Sequence, residues 1–411
     1  MSSIIDSAAE VATANSTAPI AATGNSTGRL ALLVSIVVSF LAASAAPTPL
    51  YEHYDVAWGG TALTTTIAFG IYAGAVLVGL LTLGEVSNHL GRRTVILAAL
   101  SGQAIAMVLF AAADSYTPLM IGRVVQGLAA GAALGALGAG MIDAHRESGT
   151  LASATAPGIG TGTGALAAAL VVNYLPWPTH LIYLILIAVF VAQAAAITRL
   201  PFDAGHHRPG LLKDLRPQIA VPRAARAAFL SVAPVLFSAW ALAGFYGSLG
   251  PVLMRQLADS TSVTLGGFGL FLLAGVASLA TLALRHVGTA RTMQVGITAL
   301  VIGVLGTIVA VEAGSIDLFL VATAVAGIGF GSGLQGGIRT VVPLATEAQR
   351  TGLLAAVYLV SYLGLGAPAV VAGYLVSRGL DLEHVAVGYA IVLVVLALAA
   401  GASLRLRRAR A

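Results

Sequence analysis

Residues 84–93 read GEVSNHLGRR, a short charged stretch between the apolar runs ALTTTIAFGIYAGAVLVGLLTL (62–83) and TVILAALSGQAIAMVLFAA (94–112). Each flanking run has the roughly 20 residues that a helix needs to cross a bilayer. The ten residues therefore read as a tight turn on one membrane face. Lipid offers no partner to backbone N–H and C=O groups, so only helices or closed barrels span it. Barrel strands alternate in polarity over about ten residues, and these runs do not.

The whole chain repeats this pattern. Of 411 residues, 58% are hydrophobic and 9% charged, against about 25% charged in a soluble domain. Apolar spans read at roughly 30–50, 62–84, 94–112, 117–141, 151–175 and 178–198, then at 228–253, 262–284, 291–311, 316–342, 351–376 and 386–404. The expected fold is an all-α polytopic membrane protein with 12 transmembrane helices in two six-helix bundles. Its divisions are a tail at 1–28, a first bundle at 29–200, a linker at 201–227, a second bundle at 228–404 and a basic tail at 405–411. The linker holds the sole lysine, Lys213, and the pair His206-His207, which reads as solvated loop. The apolar run after residue 28 has no Lys or Arg before it and is longer than a leader's core, so it reads as a first span, not a cleaved signal.

Charge placement gives an orientation. The formal charge of +5 would suggest a nucleic-acid partner in a soluble protein, but here the arginines sit in gaps between spans. With a cytoplasmic N-terminus, Arg92, Arg93, Arg146, the basic linker, Arg285, Arg291, Arg350 and the C-terminal RLRRAR lie inside, and Arg255 and Arg378 outside. That is the positive-inside asymmetry. It predicts a cytoplasmic (inner) membrane protein with both termini cytoplasmic. With no cysteine, thiolate ligands and thiol nucleophiles are excluded. A faint internal repeat, HLGRRT at 89–94 and HVGTART at 286–292, falls in corresponding loops of the two halves, as a parallel duplication would leave.

With twelve spans, two motifs make the chain resemble the major facilitator superfamily. The family's loop between helices two and three reads roughly Gly-x-Leu-x-Asp-Arg-x-Gly-Arg-Arg. Here Gly84, Gly91, Arg92 and Arg93 match it, and Asn88 and His89 stand in place of Asp and Arg. Helix four carries Arg-x-x-Gln-Gly as Arg123, Gln126 and Gly127. The resemblance extends to bacterial 12-helix drug and metabolite exporters, although Ala165 follows Gly164 where their helix five has proline. It implies alternating access, a gating loop built from Gly84, Asn88, Gly91, Arg92 and Arg93 with Asp143 as acidic partner, and export coupled to protons. An uncoupled facilitator or uptake carrier of a small metabolite, and a transport-inactive receptor or scaffold on the same fold, are the alternatives. No P-loop is present, and GSGLQG at 331–336 sits inside a span, without the strand a dinucleotide fingerprint needs.

Arg123 is the leading site residue, because an arginine within a span is costly unless it is paired or functional. Gln126 shares its face. Arg123 is either a ligand for anionic or polar substrate groups or an anchor to the carbonyl-rich end of helix one. Further cavity candidates are Phe69 and Tyr72 on helix two, Phe237, Trp240 and Tyr246 on helix seven, Gln335 on helix ten, and Tyr358 and Tyr362 on helix eleven. Aromatic rings with polar edges suit amphipathic organic molecules. No carboxylate reads at mid-depth. Glu52 and Asp55 follow helix one and are the candidates for proton coupling, with Glu52 able to approach Arg123 if that helix continues past Pro49. No metal, cofactor or enzymatic cluster is expected. The expected partners are a small-molecule substrate and membrane lipid, with no nucleic acid, and the chain is expected to act as a monomer.

Overall fold

In the computed structural model, which describes residues 23–199 and 217–410, the apolar runs form twelve long helices. They are α1 (Thr23–Ala45), α2 (Ala62–Leu83), α3 (Arg92–Ala111), α4 (Tyr116–Ala144), α5 (Arg146–Tyr174) and α6 (Pro178–Arg199) in the first half. The second half holds α7 (Arg223–Ser248), α8 (Val263–Ala283), α9 (Thr289–Glu312), α10 (Ile316–Val341), α11 (Glu347–Ser377) and α12 (Leu382–Arg410). Most of the expected N-terminal tail, His206-His207, Lys213 and most of the linker fall outside the described residues, as does the side chain of Asn88. The basic segment expected as a separate C-terminal tail continues α12 through Arg410.

Each half repeats one packing scheme. In the first, α2 packs on α4, α3 on α4 and α6, and α1 on α4, α5 and α6. In the second, α8 packs on α10, α9 on α10 and α12, and α7 on α10, α11 and α12. The bundles meet where α2 crosses α11 and α5 crosses α8. Outward positions such as Ile105, Val108, Ile302, Val309 and Val371 stay more than half exposed, as a lipid-facing surface requires. Several buried hydroxyls are satisfied within their own helices, such as Thr66 by Ala62 O at 2.9 Å and Ser278 by Ala274 O at 2.9 Å, a common arrangement in lipid.

Close approach depends on missing side chains. A Cβ on Gly131 of α4 would strike the backbone of α2 at Val76 and Leu80, and one on Gly164 of α5 would strike α1 at Ala42. Small residues at such crossings allow the van der Waals contact that joins helices in a bilayer.

Two helices differ from the sequence expectation. The first span breaks after Ala45, passes through a 3₁₀ turn at Thr48–Leu50 and resumes as the short helix Tyr51–Trp58. The seventh breaks after Ser248 and resumes as Gly250–Leu257. Pro47, Pro49 and Pro251 sit at these breaks, where proline removes a backbone donor but suits a first helical turn. We call the end at which α1 begins and α12 finishes the terminal face, and the opposite end the far face. Both breaks lie at the far face.

Candidate functional site

Arg123 lies in the second turn of α4 and is fully buried. Its Nη1 donates to Ser44 O and to Gln126 Oε1, both at 2.9 Å, and its Nη2 donates to the Tyr51 hydroxyl at 2.5 Å. Ser44 is in the last turn of α1, where carbonyls lack intrahelical partners, so the anchoring role is visible. The guanidinium also lies 5.3–5.7 Å from the ring centroids of Tyr51, Tyr72 and Phe110, within cation–π range. Among the described residues, no carboxylate pairs with it. Its Nε and the Gln126 Nε2 have no partner. Gln126 is fixed from behind, because Gln103 of α3 donates to its backbone carbonyl at 3.1 Å. The result is a buried cation in an aromatic cage, held only by neutral groups.

Arg123, Gln126 and Tyr72 thus come together. From the second bundle, Tyr362 belongs to the same buried cluster as Tyr72, with Trp240 and Tyr358 packed against it. Trp240 lies 5.1 Å from the Tyr362 ring and 6.1 Å from Phe330. The Trp240 Nε1 and Ser361 Oγ atoms are buried without a partner, an unusual state for polar atoms in a folded protein.

Other expected residues lie elsewhere. Phe69 fills the space beside Gly247, where the bundles meet near the far face. Tyr246 turns into its own bundle, bonded to Thr323 at 2.5 Å and packed on Phe319. Phe237 packs within the second bundle, its backbone close against Gly364 of α11. Gln335 donates to Thr281 O of α8 at 3.0 Å.

The short helix Tyr51–Trp58 changes the reading of the two acids. Helix one does continue past Pro49, yet it is Tyr51 that meets Arg123. Glu52 forms an ion pair with Arg255 of the Gly250–Leu257 helix, across the bundle interface. Close by, Thr48 Oγ1 donates to Gly247 O at 3.1 Å, joining the two breaks. Asp55 accepts from Thr65 Oγ1 at 3.0 Å and from the Tyr116 hydroxyl. Trp58 stacks on Tyr54 at 4.3 Å, and Tyr54 bonds Tyr183 at 2.9 Å, which fastens this short helix to α4 and α6. A cavity of about 240 Å³ lies here, lined by Tyr51, Glu52, Asp55, Thr65, Ser248 and Arg255 among others. The sequence reading missed Tyr51, Phe110, Tyr116, Thr65 and the partnership of Arg255. Only Tyr51 had a signal, its place one residue before Glu52 in PTPLYEHYD.

At the terminal face, Arg92 pairs with Asp143 at the end of α4, and Arg93 Nη2 donates to Thr198 O of α6 at 2.6 Å. Gly91 has φ +82°, a conformation that glycine adopts without penalty. Gly84 is in the right-handed helical region at φ −58°, so it supplies no unusual turn. In the second half the polarity is reversed: Arg339 of α10 reaches the carbonyls of Arg285 at 2.8 Å and Val287 at 3.2 Å beyond the end of α8. Among the described residues no His, Asp or Glu cluster could hold a metal ion.

Residues 30–367 match the Major Facilitator Superfamily. The fold is similar to the crystal structure of a mutant nucleoside transporter NupG, with TM-score 0.71 and 16% identity over 91% of this chain and 99% of that one. NupG itself gives TM-score 0.67 and 17% identity over 92% and 98%. An auto-inhibited peptide transporter of the POT family gives 0.70 and 15% over 92% and 96%. Compared by sequence with curated proteins, the chain has no match. The family match runs through both bundles, and those bundles repeat one packing scheme. The chain therefore belongs to the Major Facilitator Superfamily, a polytopic membrane protein for secondary transport by alternating access.

Proposed function

We propose that the protein carries a small amphipathic organic metabolite across the cytoplasmic membrane as a facilitator or uptake carrier. The terminal face is cytoplasmic, following the arginine asymmetry. The substrate sits between the bundles beside Arg123, with a polar or anionic group toward the guanidinium and its apolar body against Tyr72, Trp240 and Tyr362. The observation that carries this reading is the fully buried Arg123, held by neutral partners alone. A buried charge is normally paired, and here a substrate would supply the counter-charge. The partnerless Trp240 Nε1 and Ser361 Oγ add hydrogen-bonding capacity from the other bundle.

Uncoupled or uptake transport is favoured over proton-driven export because, among the described residues, no carboxylate pairs with Arg123. Proton-coupled export is the second reading, and Asp55 favours it, a carboxylate in the first span with hydroxyl partners only. Substrate counterflow in proteoliposomes, with and without an imposed pH gradient, separates them. Counterflow at equal pH, with no net accumulation driven by the gradient, fits the facilitator. Uphill movement that collapses with the gradient favours the exporter.

A further inference from the structure

The far-face cavity carries a second charge without a counter-charge. Asp55 lines it, and its carboxylate accepts only from Thr65 and Tyr116. Two hydrogen bonds use about half of the roughly four lone-pair sites of an ionised carboxylate. The arginine that lines the same cavity, Arg255, is taken by Glu52. Among the described residues no arginine, lysine or histidine pairs with Asp55.

Tyr51 stands between this carboxylate and Arg123. It lies four residues before Asp55 on the short helix, so both occupy one face about 5–6 Å apart at Cβ. Both line the cavity, and the Tyr51 hydroxyl is the acceptor on Arg123 Nη2 at 2.5 Å. A cation lacking an anion and an anion lacking a cation are thus separated by one side chain. They form no ion pair with each other, and a cavity of about 240 Å³ opens beside Tyr51 and Asp55. A water occupies about 30 Å³ of liquid, so the cavity has room for a small solute. Leu249, Val252 and Val376 supply apolar wall.

We propose that the far-face cavity is a loading site for zwitterions. The solute's ammonium end binds Asp55, and its carboxylate end displaces the Tyr51 hydroxyl from Arg123. The apolar body spans the interval between them. This deepens the carrier reading above and rests on it. It assigns Asp55 to the ligand, and it makes Tyr51 a lid that a carboxylate can replace and a neutral group cannot.

The test uses purified full-length protein and three probes at neutral pH: ε-aminohexanoate as the zwitterion, its primary amide as the monocation and its N-acetyl derivative as the monoanion. The half-maximal concentration for thermal stabilisation is read for each. In the parent it should be at least tenfold lower for the zwitterion than for either singly charged probe. Asp55→Asn should raise the zwitterion's value to that of the N-acetyl compound and leave the latter within about twofold. The proposal is overturned if a singly charged probe matches the zwitterion in the parent, or if none of the three stabilises it. It also falls if Asp55→Asn weakens all three alike, as a carboxylate serving only proton coupling or folding would. Should Asp55→Asn fail to give monodisperse protein, the parent comparison and Asp55→Glu decide. Counterflow of the same probes keeps the two readings apart: flux of the amide or acetyl compound without the zwitterion removes the zwitterion assignment and leaves the carrier standing.

Discussion

Tyr51 holds Arg123 with a single hydroxyl, and hydrogen bonds to charged groups contribute about 1.5–3 kcal/mol. Tyr51→Phe keeps the ring and its cation–π contact but leaves Nη2 without that acceptor. The expected result is a stability loss of about 2 kcal/mol in thermal or denaturant unfolding, with the helix content unchanged. No loss would mean that water replaces the hydroxyl. The same residue explains what the sequence did not reveal. Continuation of helix one past Pro49 was legible as a possibility, and it pointed Glu52 at Arg123. Successive helical residues are about 100° apart, so a one-residue difference in phase turns Tyr51 to Arg123 and Glu52 to the other bundle. Phase of that kind is set by the break at Pro47–Leu50: the two prolines mark where the helix stops, but not the rotation at which it resumes.

At the scale of helices, glycine positions separate contact from exposure. Gly131 of α4 lies against the backbone of α2, and a Cβ there would collide with main-chain atoms that cannot rotate away. Gly74 of α2 has open space around its missing Cβ. Gly131→Ala should therefore destabilise by about 1–3 kcal/mol, the usual cost of overpacking. Gly74→Ala should be neutral or stabilising by up to about 1 kcal/mol, because alanine restricts the helix less unfavourably than glycine. Opposite signs in a melting curve check the assignment of these faces. The helices themselves were readable from hydropathy, and Gly131 follows Gly127 and precedes Gly135 and Gly138 along helix four. Which helix these glycines meet was not readable, because the α2–α4 crossing depends on tertiary packing.

For the whole molecule, the orientation and the gates belong together. The chain has no cysteine, so single cysteines report cleanly. In intact cells an impermeant thiol reagent added outside should label Asp381→Cys and spare Glu347→Cys, both exposed positions at opposite faces. The reverse pattern would invert the orientation. The Glu52–Arg255 pair joins the bundles at the far face. Arg255 is almost fully buried, and an uncompensated buried charge is strongly unfavourable. Glu52→Gln should shift the population toward the far-open state, raising the labelling rate of Ser248→Cys at least threefold. The double exchange Glu52→Arg with Arg255→Glu should return it toward the parent. Equal rates in all three would make the pair incidental to gating. The duplicated architecture was legible in the sequence through two sets of six spans and the paired HLGRRT and HVGTART loops. The cross-bundle pair was not, since Glu52 and Arg255 lie in different halves and each alone reads as loop charge.

The central claim is that substrate moves past Arg123 and uses its guanidinium. The direct measurement is reconstituted flux of Arg123→Ala and Arg123→Lys, normalised to monodisperse protein and set beside a melting curve. Arg123 also anchors Ser44, so some loss of stability is expected in both variants. The account predicts that flux per folded molecule falls at least tenfold in Arg123→Ala. Arg123→Lys should recover little, because lysine keeps the charge without the planar five-donor fork. Near-parental flux per folded molecule in Arg123→Ala, with only the melting temperature lowered, would contradict it and leave Arg123 as the anchor of helix one alone.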